Sequence, residues 1–293
     1  MRFFAVTLLV TLAACSSAPP AHVAEHDSVP PLGRVAIIVL ENHEYHEVIG
    51  SPEAPYLNAL ADQFGYSSAM YGITHPSLPN YLALLGGSTF GIDSNCTDCT
   101  IDAPNLVDQL EKAGISWKAY MEDMPQPCFH GDNATYVKRH NPFLYFSSIS
   151  NDEKRCGKVV PLEHLYEDLA GGTLPRFTWV TPGLCSDSHD CSISTSDRFL
   201  SAIVPPLLDA LGREGVLFIT YDEGTSSEGC CDVASGGRIP FVVAGGAAQA
   251  GKDSEDQHTL YSVLRTIEEG FGLPLLERAG CDCTSTLGDL LAR

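Results

Sequence analysis

The segment from Thr74 to Gly87, THPSLPNYLALLGG, places the hydroxyl of Ser77 directly ahead of an apolar helical pattern. Residues 67–72 before it read as a short strand, and Pro79 falls in the first helical turn, where proline is best tolerated. A side chain at that point faces unpaired helical N–H groups, which together with the helix dipole favour an anion. The spacing therefore fits a hydroxyl nucleophile beside a tetrahedral oxyanion, the chemistry of covalent phosphate- or sulfate-ester transfer. Further polar groups close other strand-like runs: Glu41 and Asn42, then Asp187, His189 and Asp190 in CSDSHDC, then Asp222 and Glu223 in TYDEG, while His258 opens the last long helix. Each alone reads better as a turn, a solvated loop or, for His258, an ordinary residue at a helix start. Together they fall at the carboxyl ends of strands, where open α/β sheets gather their sites.

Glu41, Asn42, Asp222, Glu223 and the Ser77 oxygen form an all-oxygen donor set, which suits magnesium, calcium or manganese better than zinc. A divalent ion there would favour the serine alkoxide and offset charge on phosphoryl oxygens. His75, His189 and His258 are then available to bind phosphoryl oxygens, hold a second metal or protonate a leaving alcohol. Residue types do not apportion those roles. His43, His46, His130, His140 and His164 lie in polar or turn-like surroundings and are expected at the surface, with Lys138 and Arg139 as a solvated pair.

The elements that must position these residues alternate along the chain. Arg34 to Leu40 is a continuous β-branched run of the kind a fully buried parallel strand shows, and Val216 to Tyr221 and Ile239 to Gly245 resemble it. Ser116 to Tyr120 and Phe177 to Val180 add two strands. Tyr56 to Phe64, Pro104 to Ala113, Asp197 to Leu211 and Leu260 to Phe271 carry apolar residues at helical spacing, stopped by Gly114, Gly212 and Gly272. The expected fold is an α/β chain with a mostly parallel sheet covered by helices on both faces. Residues from about 90 to 160, bounded by Cys96 and Cys156, break the rhythm and are expected to form a disulfide-tied insertion over one end.

At 293 residues with 44% hydrophobic content, the chain suffices for one large domain, expected over residues 33–293. Arg2, the apolar run Phe3 to Val10 and Leu12-Ala13-Ala14-Cys15 have the layout of a secretory signal over residues 1–14. Its end resembles a bacterial lipobox. On that resemblance Cys15 would carry lipid and residues 15–32 would be a flexible tether, making an exported, envelope-bound lipoprotein; an ordinary cleaved signal would give a secreted protein. Eleven cysteines fit an oxidising compartment, and setting Cys15 aside leaves an even number. Cys96 with Cys99, Cys128 with Cys156, and Cys185 with Cys191 are the local pairs expected, and Cys230 or Cys231 is expected to reach Cys281 or Cys283. A formal charge of −20 disfavours nucleic acid and anionic membrane surfaces as partners, leaving the N-terminal lipid as the membrane contact. It also means that an anionic substrate needs a metal ion or a confined cationic pocket.

The segments LENHEY (40–45), THPSLPNYLAL (74–84), APNLVDQLEKAGISWKAYMEDMP (103–125), HNPFLYF (140–146), TPGLCSDSHDC (181–191), TYDEG (220–224) and HTLYSVLRTIEEGFGLP (258–274) resemble the bacterial phosphoesterase family of secreted acid phosphatases and phospholipases C. The resemblance implies an alkaline phosphatase-like three-layer α/β/α sandwich. It implies an attacking residue two before a proline and ten before a glycine, a spacing that Ser77, Pro79 and Gly87 meet and Thr74 does not. It carries metal ligation to Glu41, Asn42, Asp222 and Glu223, and less directly an active-site role to His75, His189 and His258. Few histidines or cysteines are available for a second zinc, so a one-metal mechanism stays open.

Three functions compete at this point. The leading one is an exported acid phosphatase acting on phosphate monoesters of a small molecule or a phospholipid headgroup, phosphoinositide phosphates included. The second is a phospholipase C-type phosphodiesterase, and the third a non-enzymatic surface lipoprotein. No G-x-S-x-G elbow occurs, which sets aside a conventional serine esterase.

Overall fold

The computed structural model describes residue 1 and residues 28–292. The expected signal, the Cys15 lipidation site and most of the tether lie outside the described residues. Val29 and Leu32, at the end of the expected tether, already pack on the core, and the Leu32 N–H donates to the Gly270 carbonyl at 2.8 Å.

Among the described residues the sheet has nine strands: β1 (Arg34–Leu40), β2 (Gly65–Tyr71), β3 (Trp117–Met121), β4 (Val159–Pro161), β5 (Phe177–Thr181), β6 (Gly215–Tyr221), β7 (Arg238–Ala244), β8 (Lys252–Ser254) and β9 (His258–Thr259). Their order is β4-β3-β5-β1-β6-β7-β2-β8, with β9 paired to β2. β1 runs parallel to β5 and β6, in register Ile38 to Val180 and Ile38 to Ile219. Every residue of β6 and all but the first of β1 are buried, so both faces of the centre are covered by helices. Helix Pro55–Gln63 packs on helix Ile193–Leu211, and helix Ser77–Gly86 packs on helix Leu260–Phe271. The chain is thus an α/β sandwich with a mostly parallel sheet.

Local chemistry accounts for the element ends. The Asn105 side chain accepts from the N–H groups of Val107 and Asp108 and starts helix Leu106–Lys112, while Gly272, at φ 67°, ends the helix from Leu260.

Three expectations are corrected. β7 is antiparallel to both neighbours. Its apolar run resembles that of a parallel strand because burial on both faces, not direction, sets the pattern; the connection from β6 contains no crossover helix, so the chain turns back on itself. The cysteines of the last third pair locally, Cys230 with Cys231 and Cys281 with Cys283, instead of joining the two segments. The other expected pairs, Cys96–Cys99, Cys128–Cys156 and Cys185–Cys191, are present. Finally, Lys138 and His140, expected at the surface, are buried, and the segment after them is core: Phe143 stacks on Trp117 at 5.5 Å between centroids and meets Trp179 edge-on at 5.4 Å. Lys138, expected to be solvated, is buried, with its ammonium on the Thr97 carbonyl at 2.6 Å and over the Tyr145 ring.

Candidate active site

Adjacent strands deliver the first carboxylates. Beyond β1 the Glu41 N–H donates to the Asp187 carbonyl at 3.0 Å, and beyond β6 the Asp222 N–H donates to the Leu40 carbonyl at 3.0 Å, so the pairing of β1 with β6 and the turn after β5 together set three acidic residues side by side. Asn42 then turns into the left-handed region at φ 55°, which brings its N–H to Asp222 Oδ1 at 3.2 Å. Its terminal amide donates to Glu41 Oε2 at 3.2 Å; a half-turn of that amide would present its oxygen to the same place.

Ser77 is the first residue of helix Ser77–Gly86 and is buried. Its hydroxyl lies between two carboxylates, 3.2 Å from Glu41 Oε2 and 3.3 Å from Glu223 Oε1. The turn before it is tied by Asn80, whose side-chain oxygen accepts from the N–H groups of Ile73 and Thr74 at 2.8 and 3.1 Å and whose amide donates to the Thr74 carbonyl at 2.8 Å. Tyr81, one helical turn beyond Ser77, donates its hydroxyl to Glu41 Oε1.

His140 is fully enclosed, contrary to the expectation of a surface residue. Its Nε2 lies 3.4 Å from Glu41 Oε1 and its Nδ1 3.4 Å from Asp187 Oδ2, and its ring stacks on Tyr81 with centroids 5.3 Å apart. The Thr181 hydroxyl, itself receiving the Trp179 indole N–H, donates to the His140 carbonyl at 3.2 Å and fixes the residue from β5.

The remaining histidines divide. His75 Nδ1 contacts Glu223 Oε2 at 2.6 Å and its Nε2 contacts the Ser226 carbonyl at 2.9 Å. The backbone N–H of His189 donates to Asp187 Oδ1 at 2.8 Å, its Nδ1 meets Asp190 at 2.7 Å, and its ring lies 5.9 Å from that of His140. His258, by contrast, is buried against the C-terminal segment: its Nδ1 meets the Ser285 hydroxyl at 3.0 Å, and its Nε2 lies 3.5 Å from Ser254 Oγ and 3.9 Å from Asp289 Oδ1. It takes no part in the cluster around Ser77. His46 and His130 are exposed, and His43 and His164 contact the neighbouring acids Glu47 and Glu167.

Burial dominates the electrostatics. It pushes the Glu41 carboxyl far up, with the charges of Asp222 and Asp187 adding to the effect. It raises Asp187 to about 8 and, with the Glu223 charge, Asp222 to about 8; Glu223 rises to about 7. Burial, then the nearby charges of Arg139 and His189, holds His140 well below its ordinary value. Among the described residues no lysine or arginine pairs with any of these four carboxylates, and Asp222 Oδ2 and Asp187 Oδ2 are buried without a hydrogen-bond donor. Packed carboxylates with orphaned oxygens are the donor set a hard divalent cation needs, so the residues fit such an ion.

Residues 51–274 match the Phosphoesterase family. The chain belongs to the Phosphoesterase family. An acid phosphatase of Aspergillus fumigatus is 29% identical over 96% of this chain and 63% of its own length. A phosphatidylinositol-3-phosphatase of Mycobacterium tuberculosis is 31% identical over 84% of this chain and 79% of its own. The chain spans less than two thirds of the length of the fungal acid phosphatases it matches. A protein of the alkaline phosphatase superfamily from Vibrio parahaemolyticus superimposes with a TM-score of 0.57 at 13% identity, over 84% of this chain and 68% of the other. That likeness establishes an alkaline phosphatase-like fold.

His140 and Tyr81 escaped the reading of residue types. Tyr81 sits four residues after Ser77, on the same helical face, which periodicity could have shown. For His140 the signal was the apolar run Phe143 to Phe146 just after it, which marks a loop pulled into the core.

Proposed function

We propose that this chain is an exported phosphatase that hydrolyses phosphate monoesters through Ser77. The observation that supports this most is the Ser77 hydroxyl, at a helix N-terminus and within 3.2 and 3.3 Å of two carboxylates. In this reading Ser77 Oγ attacks phosphorus while the bond to the leaving alcohol breaks, its proton passes to one of the carboxylates it faces, and a phosphoserine results. Water then attacks phosphorus and returns the serine. The helix N-terminus stabilises charge on the phosphoryl oxygens. His75 has both ring nitrogens engaged and holds Glu223 in place. His189 has one ring nitrogen on Asp190 and, among the described residues, no hydrogen-bond partner on the other, and we assign it to protonate the leaving alcohol.

Glu41, Asn42, Asp222 and Glu223 would hold the divalent cation, with magnesium, calcium or manganese favoured by the oxygen donors, and Asp187 and His140 would support Glu41 from behind. Such an ion supplies the positive field that a chain of charge −20 lacks, favouring the serine alkoxide and offsetting phosphoryl charge. The substrate class is a phosphorylated small molecule or phospholipid headgroup, phosphoinositide phosphates among them. Attachment by lipid on Cys15 belongs to the same reading.

The test is hydrolysis of p-nitrophenyl phosphate and bis-p-nitrophenyl phosphate by the purified protein and its Ser77→Ala variant, with and without a chelator. Monoester turnover that vanishes in the variant is expected. Preference for the diester would favour the phospholipase C reading; full activity in Ser77→Ala would remove the nucleophile assignment, and inertness toward both esters would return the surface-lipoprotein reading.

A further inference from the structure

Glu44 belongs to the same turn as Glu41 and is almost entirely buried. Among the described residues its carboxylate makes no ion pair. Oε1 instead accepts from the backbone N–H groups of Thr225 and Ser226 at 2.9 and 2.7 Å, and Oε2 accepts from the N–H of Arg238 at 3.2 Å. Residues 224–237 leave the sheet directly after Asp222 and Glu223 and return as β7, closed at the base by the Gly224 N–H on the Gly236 carbonyl at 2.7 Å. One carboxylate thus binds both the outgoing and the returning strand of this loop. The sequence is built around it: Gly237 is in the left-handed region at φ 86°, and a Cβ there would stand 2.8 Å from Glu44 Oε1.

The loop in turn holds His75. The carbonyl of Ser226, whose N–H is bound to Glu44, receives His75 Nε2 at 2.9 Å, and His75 Nδ1 reaches Glu223 Oε2 at 2.6 Å. The other oxygen of Glu223 faces the Ser77 hydroxyl at 3.3 Å. The His75 side chain is 38% exposed, so packing alone does not fix its ring and the two hydrogen bonds must. We propose that Glu44 is a positioning residue of the hydrolytic site: it folds the Thr225-Ser226 turn so that the Ser226 carbonyl sets His75, and through His75 the carboxylate facing Ser77. This inference rests on the phosphatase reading for its kinetic consequence, but not for the structural link.

The experiment compares the full chain with Glu44→Gln, Glu44→Ala, His75→Ala and the Glu44→Ala/His75→Ala double variant. Glutamine keeps the shape and one acceptor but sets an NH2 group against the Arg238 N–H, so it carries the test if the alanine variant fails to fold. Expected are a kcat reduced about 10-fold in Glu44→Gln and up to about 100-fold in Glu44→Ala with KM little changed, since a small misplacement of a catalytic group costs that much. In the His75→Ala background, adding Glu44→Ala should lower kcat by less than about 3-fold, because residues acting through one another are not additive. Independently of turnover, the His75 ring N–H resonance and the slow exchange of the Thr225, Ser226 and Arg238 amides should be present in the parent chain; Glu44→Gln should lose the Arg238 protection and weaken the ring signal, and Glu44→Ala should lose all of them. Wild-type kcat in Glu44→Gln, full multiplication of the two losses, or unchanged ring and amide signals would each overturn the proposal. If the parent chain turns over no phosphate ester, the phosphatase reading fails, and the magnetic resonance and exchange results alone decide the Glu44 link.

Discussion

Removing divalent cations should make the stability of this protein fall steeply with rising pH. Asp187 and Asp222 are buried, and their carboxyls rise from an ordinary 3.8 to about 8 in the folded chain. Below pH 3.8 folded and unfolded chains both keep the proton. Between 3.8 and about 8 the unfolded chain releases a proton that the folded chain retains, so the folded state loses ground as pH rises, and above about 8 the loss is complete. At about 1.4 kcal/mol per pH unit, one such carboxyl removes about 4 kcal/mol between pH 5 and pH 8. That is a large share of the stability of a typical domain. Urea unfolding in excess chelator at those two pH values measures it. Magnesium or manganese at about 100 times its dissociation constant should restore about 2.7 kcal/mol at pH 8 by binding the folded state, and Asp187→Asn, which can still accept the His189 N–H, should flatten the pH dependence in chelator. Equal stability at pH 5 and pH 8 in chelator, or indifference to added divalent ions at pH 8, would refute the proposal that a cation bound beside Asp222 offsets the charge of this buried cluster.

Tyr81→Phe removes the donor to Glu41 Oε1 while keeping the ring stacked on His140, and should lower stability by about 1–2 kcal/mol and reduce kcat, read by thermal unfolding and monoester turnover. His140→Ala, which takes away the group between Glu41 and Asp187, should reduce kcat at least about 10-fold, whereas His258→Ala should cost stability yet leave kcat within about 3-fold, because its partners are Ser285, Ser254 and Asp289. Equal kinetic effects of the two substitutions would contradict the placement of either residue. Opening the Cys128–Cys156 disulfide by serine substitution should cost about 3–4 kcal/mol in urea unfolding, the loop-closure value for 28 residues.

The sequence by itself determined the sheet-and-helix alternation, since the runs in β1 and β6 and the stops at Gly212 and Gly272 are local chemistry expressed within a few residues. It also marked Glu41, Asn42, Ser77, Asp222 and Glu223, because residues just past a buried strand or just ahead of a helix have one edge of the sheet to occupy. Tertiary structure alone decided the direction of β7, since a strand buried on both faces carries the same apolar run whichever way it points. It alone paired the late cysteines locally, because connectivity follows distance in the fold and not spacing in the chain. It separated the histidines for the same reason: His140 is drawn between Glu41 and Asp187 by the packing of Phe143 on Trp117 and Trp179, while His258, just ahead of the last long helix, is turned toward the C-terminal segment. Residue type says what a side chain can do, but long-range packing determines which groups it meets.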